Sequence, residues 1–272
     1  MKTRTLLLLA ALIAACLLAA RADSPRVIHS WLNIAMQRLT QDHLSLPYPP
    51  PPAPEQWRTM TATERLTSVR SRLLPKLHDE LAAHQLQLGP PAFIRIFKET
   101  RELELWLKGK DNSWKLFRNY PIAVFSGTLG PKTKEGDMQA PEGFYSVTKQ
   151  QLNPASSYHL SFNIGYPNAY DLHHQRTGSL IMVHGDTVSI GCFAMTDPLI
   201  EEIYLIVEAA LKTNTTVPVH IFPFRMTDER LQKETTSPHH DFWQNLRPAH
   251  DLFEKERRVP QVTVANGRYQ AR

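Results

Sequence analysis

The sequence predicts a mainly β protein with peripheral helices, an α+β fold, and three observations point there. From Phe93 to Phe224, short apolar runs alternate with polar residues at the period of half-buried strands. Ahead of that stretch, Leu66, Val69, Leu73, Leu74, Leu77 and Leu81 recur at helical spacing. Within it, Asp197-Pro198 opens a second helical run between two strand candidates.

The chain of 272 residues begins MKTRTLLLLAALIAACLLAARADSP. Lys2 and Arg4 form a basic start, Thr5 to Ala20 is apolar, and Ala20-Arg21-Ala22 is a small-x-small cleavage signal. Residues 1–22 therefore read as a signal peptide, with Asp23 as the first mature residue outside the cytoplasm. Two alternatives stay open: a membrane tether, because the run is only slightly short of a span, and lipidation, because Ile13-Ala14-Ala15-Cys16 is similar to a lipobox.

Residues 23–91 read as an N-terminal helical region with a proline-rich spacer. Ser24-Pro25 is an N-cap followed by proline at the first helical position, and Val27, Ile28, Trp31, Leu32, Ala35, Met36 and Leu39 follow at helical spacing. LPYPPPPAP, residues 46–54, predicts an extended polyproline spacer. The next helical pattern ends near Gly89-Pro90-Pro91, with Pro75 able to kink it.

Residues 92–226 carry the strands. AFIRIF, LELWLK and WKLFRNYPIAVFSG are the first three, with Gly109 to Ser113 as a hairpin turn between the second and third. EGFYSV, YHLSFNI and GSLIMVHG follow, then a helix from Asp197 to about Lys212 with Glu201 and Glu202 placed in its first turn, then VPVHIFPF. Residues 227–272 read as a helical tail that docks through Phe242, Trp243 and Leu246.

Charge excludes little. The net charge of +5 falls to +2 once Lys2, Arg4 and Arg21 are removed, and no basic run is interleaved with aromatics in the manner of nucleic-acid binders. Cysteine usage says more. Of the two cysteines, Cys16 lies in the leader, so the mature chain holds Cys192 alone. In an oxidising compartment such a thiol is buried and inert, paired with another chain, or a nucleophile.

The neighbours of Cys192 bear on that choice. In IMVHGDTVSIGCFAM, His184-Gly185 ends an apolar strand and Ser189-Ile190-Gly191-Cys192 follows a polar turn. A hairpin there brings the His184 ring toward the sulfur, where an imidazole can hold a thiolate and later protonate a leaving amine. Gly191 allows close backbone approach, so amides around Cys192 can bind an oxyanion. Arg176 can take a substrate carboxylate.

These residues resemble the L,D-transpeptidase (YkuD-type) family of bacterial cell-wall enzymes. That family carries His-Gly at a strand end and then Ser-His-Gly-Cys followed by Arg or Asn; His184, Gly185, Ser189, Gly191 and Cys192 match, and APEGFY is similar to its Thr-Pro-x-Gly-x-Phe segment. The resemblance implies a β-sandwich domain with Cys192 as nucleophile, His184 as base and the Gly185 carbonyl orienting the ring. It further implies peptidoglycan stem peptides as substrate, a periplasmic site and no cofactor. Ile190 stands in place of the family's second histidine, Ala194 in place of Arg or Asn, and the loop is short. The chain looks like a divergent Gram-negative branch, some members of which act on the link between peptidoglycan and outer-membrane lipoprotein. Two other readings are a non-catalytic peptidoglycan-binding scaffold and a hydrolase using a metal on His173, His174, His184, His239 and His240.

Overall fold

Turn chemistry and strand period place the first sheet. The computed structural model describes residues 46–272, so the signal peptide, Cys16 and the helix expected from Ser24 lie outside the described residues. Strands β1 (Ala92–Phe97), β2 (Glu102–Lys108) and β3 (Trp114–Pro121) form an antiparallel meander. The turn expected at Gly109 to Ser113 joins β2 to β3, and Asp111 Oδ1 fixes it by accepting from the Ser113 amide and hydroxyl.

Not all of WKLFRNYPIAVFSG stays in this sheet. Pro121 has no N–H to continue the ladder, and Ile122 and Ala123 carry the chain across to β4 (Val124–Phe125) in a second sheet. Strand β5 (Gly143–Val147) and the later β10 (Val217–Phe222) complete the first, in the order β3-β2-β1-β10-β5, with β10 parallel to β1. The second sheet adds β6 (Leu152–Asn153), β7 (Ser161–Asn163), β8 (Met182–His184) and β9 (Phe193–Ala194), in the order β4-β9-β8-β7-β6.

The helices explain how the sheets are filled. The described chain opens with α1 (Pro54–Trp57), a turn of helix that closes the proline-rich spacer, and α2 (Ala62–Ala83), started by a Thr61/Glu64 capping box and continuous through Pro75. A short α3 (Ala169–His173) precedes β8. Helix α4 (Asp197–Ala210) packs against β1 of one sheet and β7 and β8 of the other. Ile200, Ile203 and Val207 of α4 share one buried cluster with Leu73 and Leu77 of α2, Ile94 and Leu105 of the first sheet, and Val183 and Phe193 of the second. Deleting such a side chain costs about 2–5 kcal/mol.

Glu201 and Glu202 are buried on α4 rather than exposed in its first turn, where Asp197 is the acid. Each is neutralised by contacts: Glu201 binds His159 Nε2 and Arg72, and Glu202 accepts from Arg118, Tyr120 and Tyr48. The tail is more than helical. After α5 (Asp228–Gln232) and α6 (His240–Glu256), strands β11 (Val262–Ala265) and β12 (Arg268–Ala271) pair as a hairpin. Its turn is Asn266-Gly267, both at positive φ, the sequence signal for a tight hairpin turn. Phe242, Trp243 and Leu246 of α6 are buried, in the docking role the sequence gives them.

Candidate active site

The candidate residues lie at the end of β8 and in the loop that leads to β9. The loop is not a hairpin, because β8 and β9 pair in parallel, Val183 with Phe193 and His184 with Ala194. With strands of two and three residues, the chain has only to step back roughly 7–10 Å, which eight residues can do. One residue further back in the same register, Cys192 lies beside Met182, whose amide donates to Sγ at 3.4 Å. Cys192 directly precedes β9, so it lies beside the β8 strand that ends in His184. The sulfur itself is directed to the Leu180 carbonyl, 3.6 Å away, and no hydrogen bond joins it to the imidazole in the resting protein.

Hydrogen bonds to backbone set the loop. The Gly185 amide bonds the Tyr158 and Leu160 carbonyls at 3.1 Å each, and a Cβ there would lie 2.5 Å from Asp197 Oδ1 and 2.8 Å from the Tyr158 carbonyl, so only glycine fits. Asp197 Oδ1 accepts the Asp186 amide at 2.8 Å, and Oδ2 accepts from Trp57 Nε1. Gly191 takes φ +137°, a region that favours glycine. Ser189 Oγ donates to the Cys192 carbonyl at 2.6 Å and accepts from the Gly191 amide at 3.2 Å. Ser189 and Gly191 thus brace the turn, and the Gly191 amide is not free to meet an oxyanion.

His184 is 1% exposed, and its Nδ1 donates to the Gly185 carbonyl at 2.5 Å, which leaves Nε2 as the acceptor nitrogen. Burial pushes its pKa below the ordinary histidine value, partly offset by the Gly185 carbonyl and by Asp186 and Asp197. Burial also pushes the Cys192 thiol up, against the lowering effect of the Met182 amide and the Lys132 cation. The resting pair at neutral pH is therefore a thiol and a neutral imidazole, not a thiolate and an imidazolium.

Two neighbours lie outside the His-Gly and Ser-x-Gly-Cys motif. The Tyr158 ring lies 4.8 Å from that of His184 and covers it. Lys132, nearly buried, is held by Asp137 Oδ1 at 2.6 Å and the Lys134 carbonyl, while Asp137 also gathers the Thr133, Lys134 and Gln139 amides. The Lys132 loop is anchored from beneath by a buried pair: Lys98 Nζ bonds Glu142 Oε1 at 2.9 Å and the Gly130 and Ala140 carbonyls, and Trp243 Nε1 donates to Glu142 Oε2.

Arg176 is not available for a substrate carboxylate. Its Nη1 bonds Asp171 Oδ1 at 2.8 Å and its guanidinium packs on the Tyr170 and Phe242 rings, so it ties α3 to α6. Ile190, Leu180 and Val188 are exposed, an apolar rim in the segments flanking the thiol. No group of three or more His, Cys, Asp or Glu among the described residues is arranged to hold a metal ion, which gives the metal reading no site. Among the same residues, no helix is long and apolar enough to cross a membrane.

The profile of the YkuD L,D-transpeptidase catalytic domain matches residues 91–221, which span β1 to β10 and contain both His184 and Cys192. The chain belongs to that family. It is 48% identical over 186 residues to "Putative L,D-transpeptidase YafK" of Escherichia coli K12, covering 68% of this chain and 75% of that protein, and equally to the O157:H7 protein. Among solved structures, the helical cell shape determining protein Pgp2 of Campylobacter jejuni is 17% identical, with 76% of this chain and 81% of that one covered at a TM-score of 0.41. For its K307A mutant the figures are 18%, 73%, 65% and 0.42. Bd1075 of Bdellovibrio bacteriovorus is 17% identical over 65% of this chain and 78% of that one, at 0.37. These structural overlaps are too loose to carry an argument about activity.

Proposed function

We propose that this L,D-transpeptidase-family protein is a periplasmic, cysteine-dependent acyl transferase or amide hydrolase of peptidoglycan stem peptides. The observation that supports the reading is that the parallel register of β8 and β9 and the Met182 amide bring the Cys192 sulfur against the strand that carries His184, with His184 Nδ1 tied to Gly185 so that Nε2 is the free base. For the pair to meet, the thiol must turn from the Leu180 carbonyl toward the imidazole.

The chemistry begins from the neutral pair. As Sγ bonds to the carbonyl carbon of an amide beside a diaminopimelate-type residue, Nε2 of His184 takes the thiol proton. When the C–N bond breaks, the imidazolium returns that proton to the leaving amine, and a thioester remains on Cys192. Water or a second amine then attacks the thioester, with His184 accepting its proton, and Sγ leaves. Ala194 is fully buried in β9, so the position of the family's Arg or Asn offers no polar group to an acceptor peptide. That favours water as the second nucleophile, and an amine such as the lysine of a peptidoglycan-linked lipoprotein as a leaving group.

Purified sacculi in oxygen-18 water test this, with mass spectrometry of the products and of the protein. The wild type should release an amine, place one heavy oxygen on the freed carboxylate and carry a transient acyl mass on Cys192. Cys192→Ala should remove turnover while keeping the fold. His184→Ala should lower kcat by about 10²–10⁴-fold. Because burial lowers the His184 pKa, the wild-type rate should hold above the ordinary histidine range and fall only as pH drops through a value below 6.5. Turnover by Cys192→Ala would end the nucleophile assignment, and cross-linked muropeptides without label would make the enzyme a transferase.

A further inference from the structure

A cleft of about 590 Å³ opens at the outer edge of the first sheet, and its lining shares no residue with the site above. That volume is within the usual range for small-molecule sites, about 300–1,000 Å³. Its walls include Phe144 and Ser146 of β5, His220 of β10, Asn168 before α3, and Pro260 and Val262 from the tail.

Charge limits the occupant first. No lining side chain is charged, and His220 is neutral through the working pH range, because burial, aided by Arg95, pulls its pKa down to about 3. A stem peptide with its carboxylates would find no counter-ion here. The lining pairs apolar rings and Val262 with the hydroxyls and amides of Ser146, Thr148, Gln151 and Asn168. His220 Nδ1 is buried with no hydrogen-bond partner among the described residues.

The sheet edge limits it further. In an antiparallel pair, alternate residues turn their N–H and C=O away from the partner strand. Phe144 is one of these, since its carbonyl takes Asn168 Nδ2 at 2.9 Å. Ser146, two residues on and opposite Pro218, which has no N–H to give, is the next, so its amide and carbonyl point away from β10. Asn168 takes the edge at Phe144, and a Cβ on Gly165 would lie 3.1 Å from the Ser146 carbonyl, so a glycine leaves the Ser146 edge open while no added strand has a run of free groups to pair with.

We propose that this cleft binds an uncharged N-acetylated sugar of a glycan strand, with the sugar's acetamido N–H and C=O paired to the Ser146 backbone and its ring against the apolar wall. An acetamido substituent is a single amide on a neutral, hydroxyl-rich ring, which is what the lining and the edge together accept. The inference deepens the peptidoglycan reading and rests on it for the source of the glycan.

The test uses the full Cys192→Ala chain, which separates binding from turnover. Tri-N-acetylchitotriose and cellotriose, which lacks the acetamido group, are titrated by calorimetry and by amide NMR. The N-acetylated trimer should bind at least about tenfold more tightly than cellotriose, the difference one or two hydrogen bonds supply, and should shift the Ser146 amide. Ser146→Trp and Val262→Trp, which fill the cleft from opposite walls, should each weaken binding at least about tenfold without moving the melting temperature. Restoring Cys192 in both should leave its alkylation rate unchanged. No binding by the folded chain, equal binding of cellotriose, or undiminished binding by both filled variants would overturn the proposal. Each of those results leaves turnover of sacculi as a separate question, and binding without turnover would keep the cleft while removing the enzyme reading.

Discussion

The two sheets of this fold are held by different means. In the first, strands of five to eight residues take their register from backbone pairing. In the second, strands of two or three residues can make few ladder bonds, and position comes from single groups bonded to backbone: Ser189 across Cys192 and Gly191, Asp197 on the Asp186 amide, Asp137 on three amides. The proposed pair, His184 and Cys192, lies at the second sheet. Regular pairing fixes every residue at one spacing, whereas braced loops can set a thiol and an imidazole at a spacing the chemistry requires. The consequence is that a few polar contacts there should matter out of proportion to their number.

The largest effect should come from the buried anchor beneath the Lys132 loop. Lys98→Met leaves Glu142 buried without its cation, which costs about 3–5 kcal/mol, read as a fall in the urea midpoint. A change below 1 kcal/mol would mean that the loop is not held by this pair.

Next is a property of the first sheet. His220 titrates near 3 in the fold and at about 6.5 when unfolded. A depressed histidine keeps its full contribution above pH 6.5 and loses it as pH falls toward 3, because the unfolded chain takes up the proton first. At pH 4 this amounts to about 3 kcal/mol of lost stability. His220→Phe, set among Phe93, Phe144 and Phe222, should remove that part of the acid sensitivity, and denaturation at pH 7 and pH 4 measures it. An unchanged pH difference would show that His220 is not the group responsible.

The smallest thermodynamic effect should be at Ser189, where the comparison is sharpest. Ser189→Ala removes a bridge worth about 1 kcal/mol, yet turnover on sacculi should fall by roughly tenfold because the Cys192 carbonyl and the Gly191 amide lose their common partner. A proportionate loss of both would place Ser189 with ordinary turn residues.

The same contrast decides what could be read from the sequence. Period and turn residues are local, so the β1 to β3 meander, its Gly109 to Ser113 turn and the α4 start at Asp197-Pro198 were legible. Motif spacing brought His184, Gly185 and Cys192 forward as a group. The parallel pairing of β8 and β9 was not legible, since an apolar run, a turn and a second apolar run read as a hairpin by default. Nor was the strand break at Pro121, where the second segment has the same period as the first. Tyr158 and Lys132 reach the site only through tertiary packing, so no spacing announces them. Arg176 shows the converse: a residue type suited to carboxylates, claimed by Asp171 of its own chain. Asn266-Gly267 was a readable hairpin signal that the polar tail concealed.

The bond from Trp243 to Glu142 joins residues 101 positions apart, and it gives the site a timetable. A chain that emerges amino end first has its histidine and cysteine out well before Trp243. Until α6 has followed and docked, Glu142 lacks one of its donors and the loop carrying Lys132 lacks its finished support. The support beneath that loop is therefore finished late, only after Trp243 has been delivered, so a product cut short before α6 carries His184 and Cys192 without the finished arrangement around them.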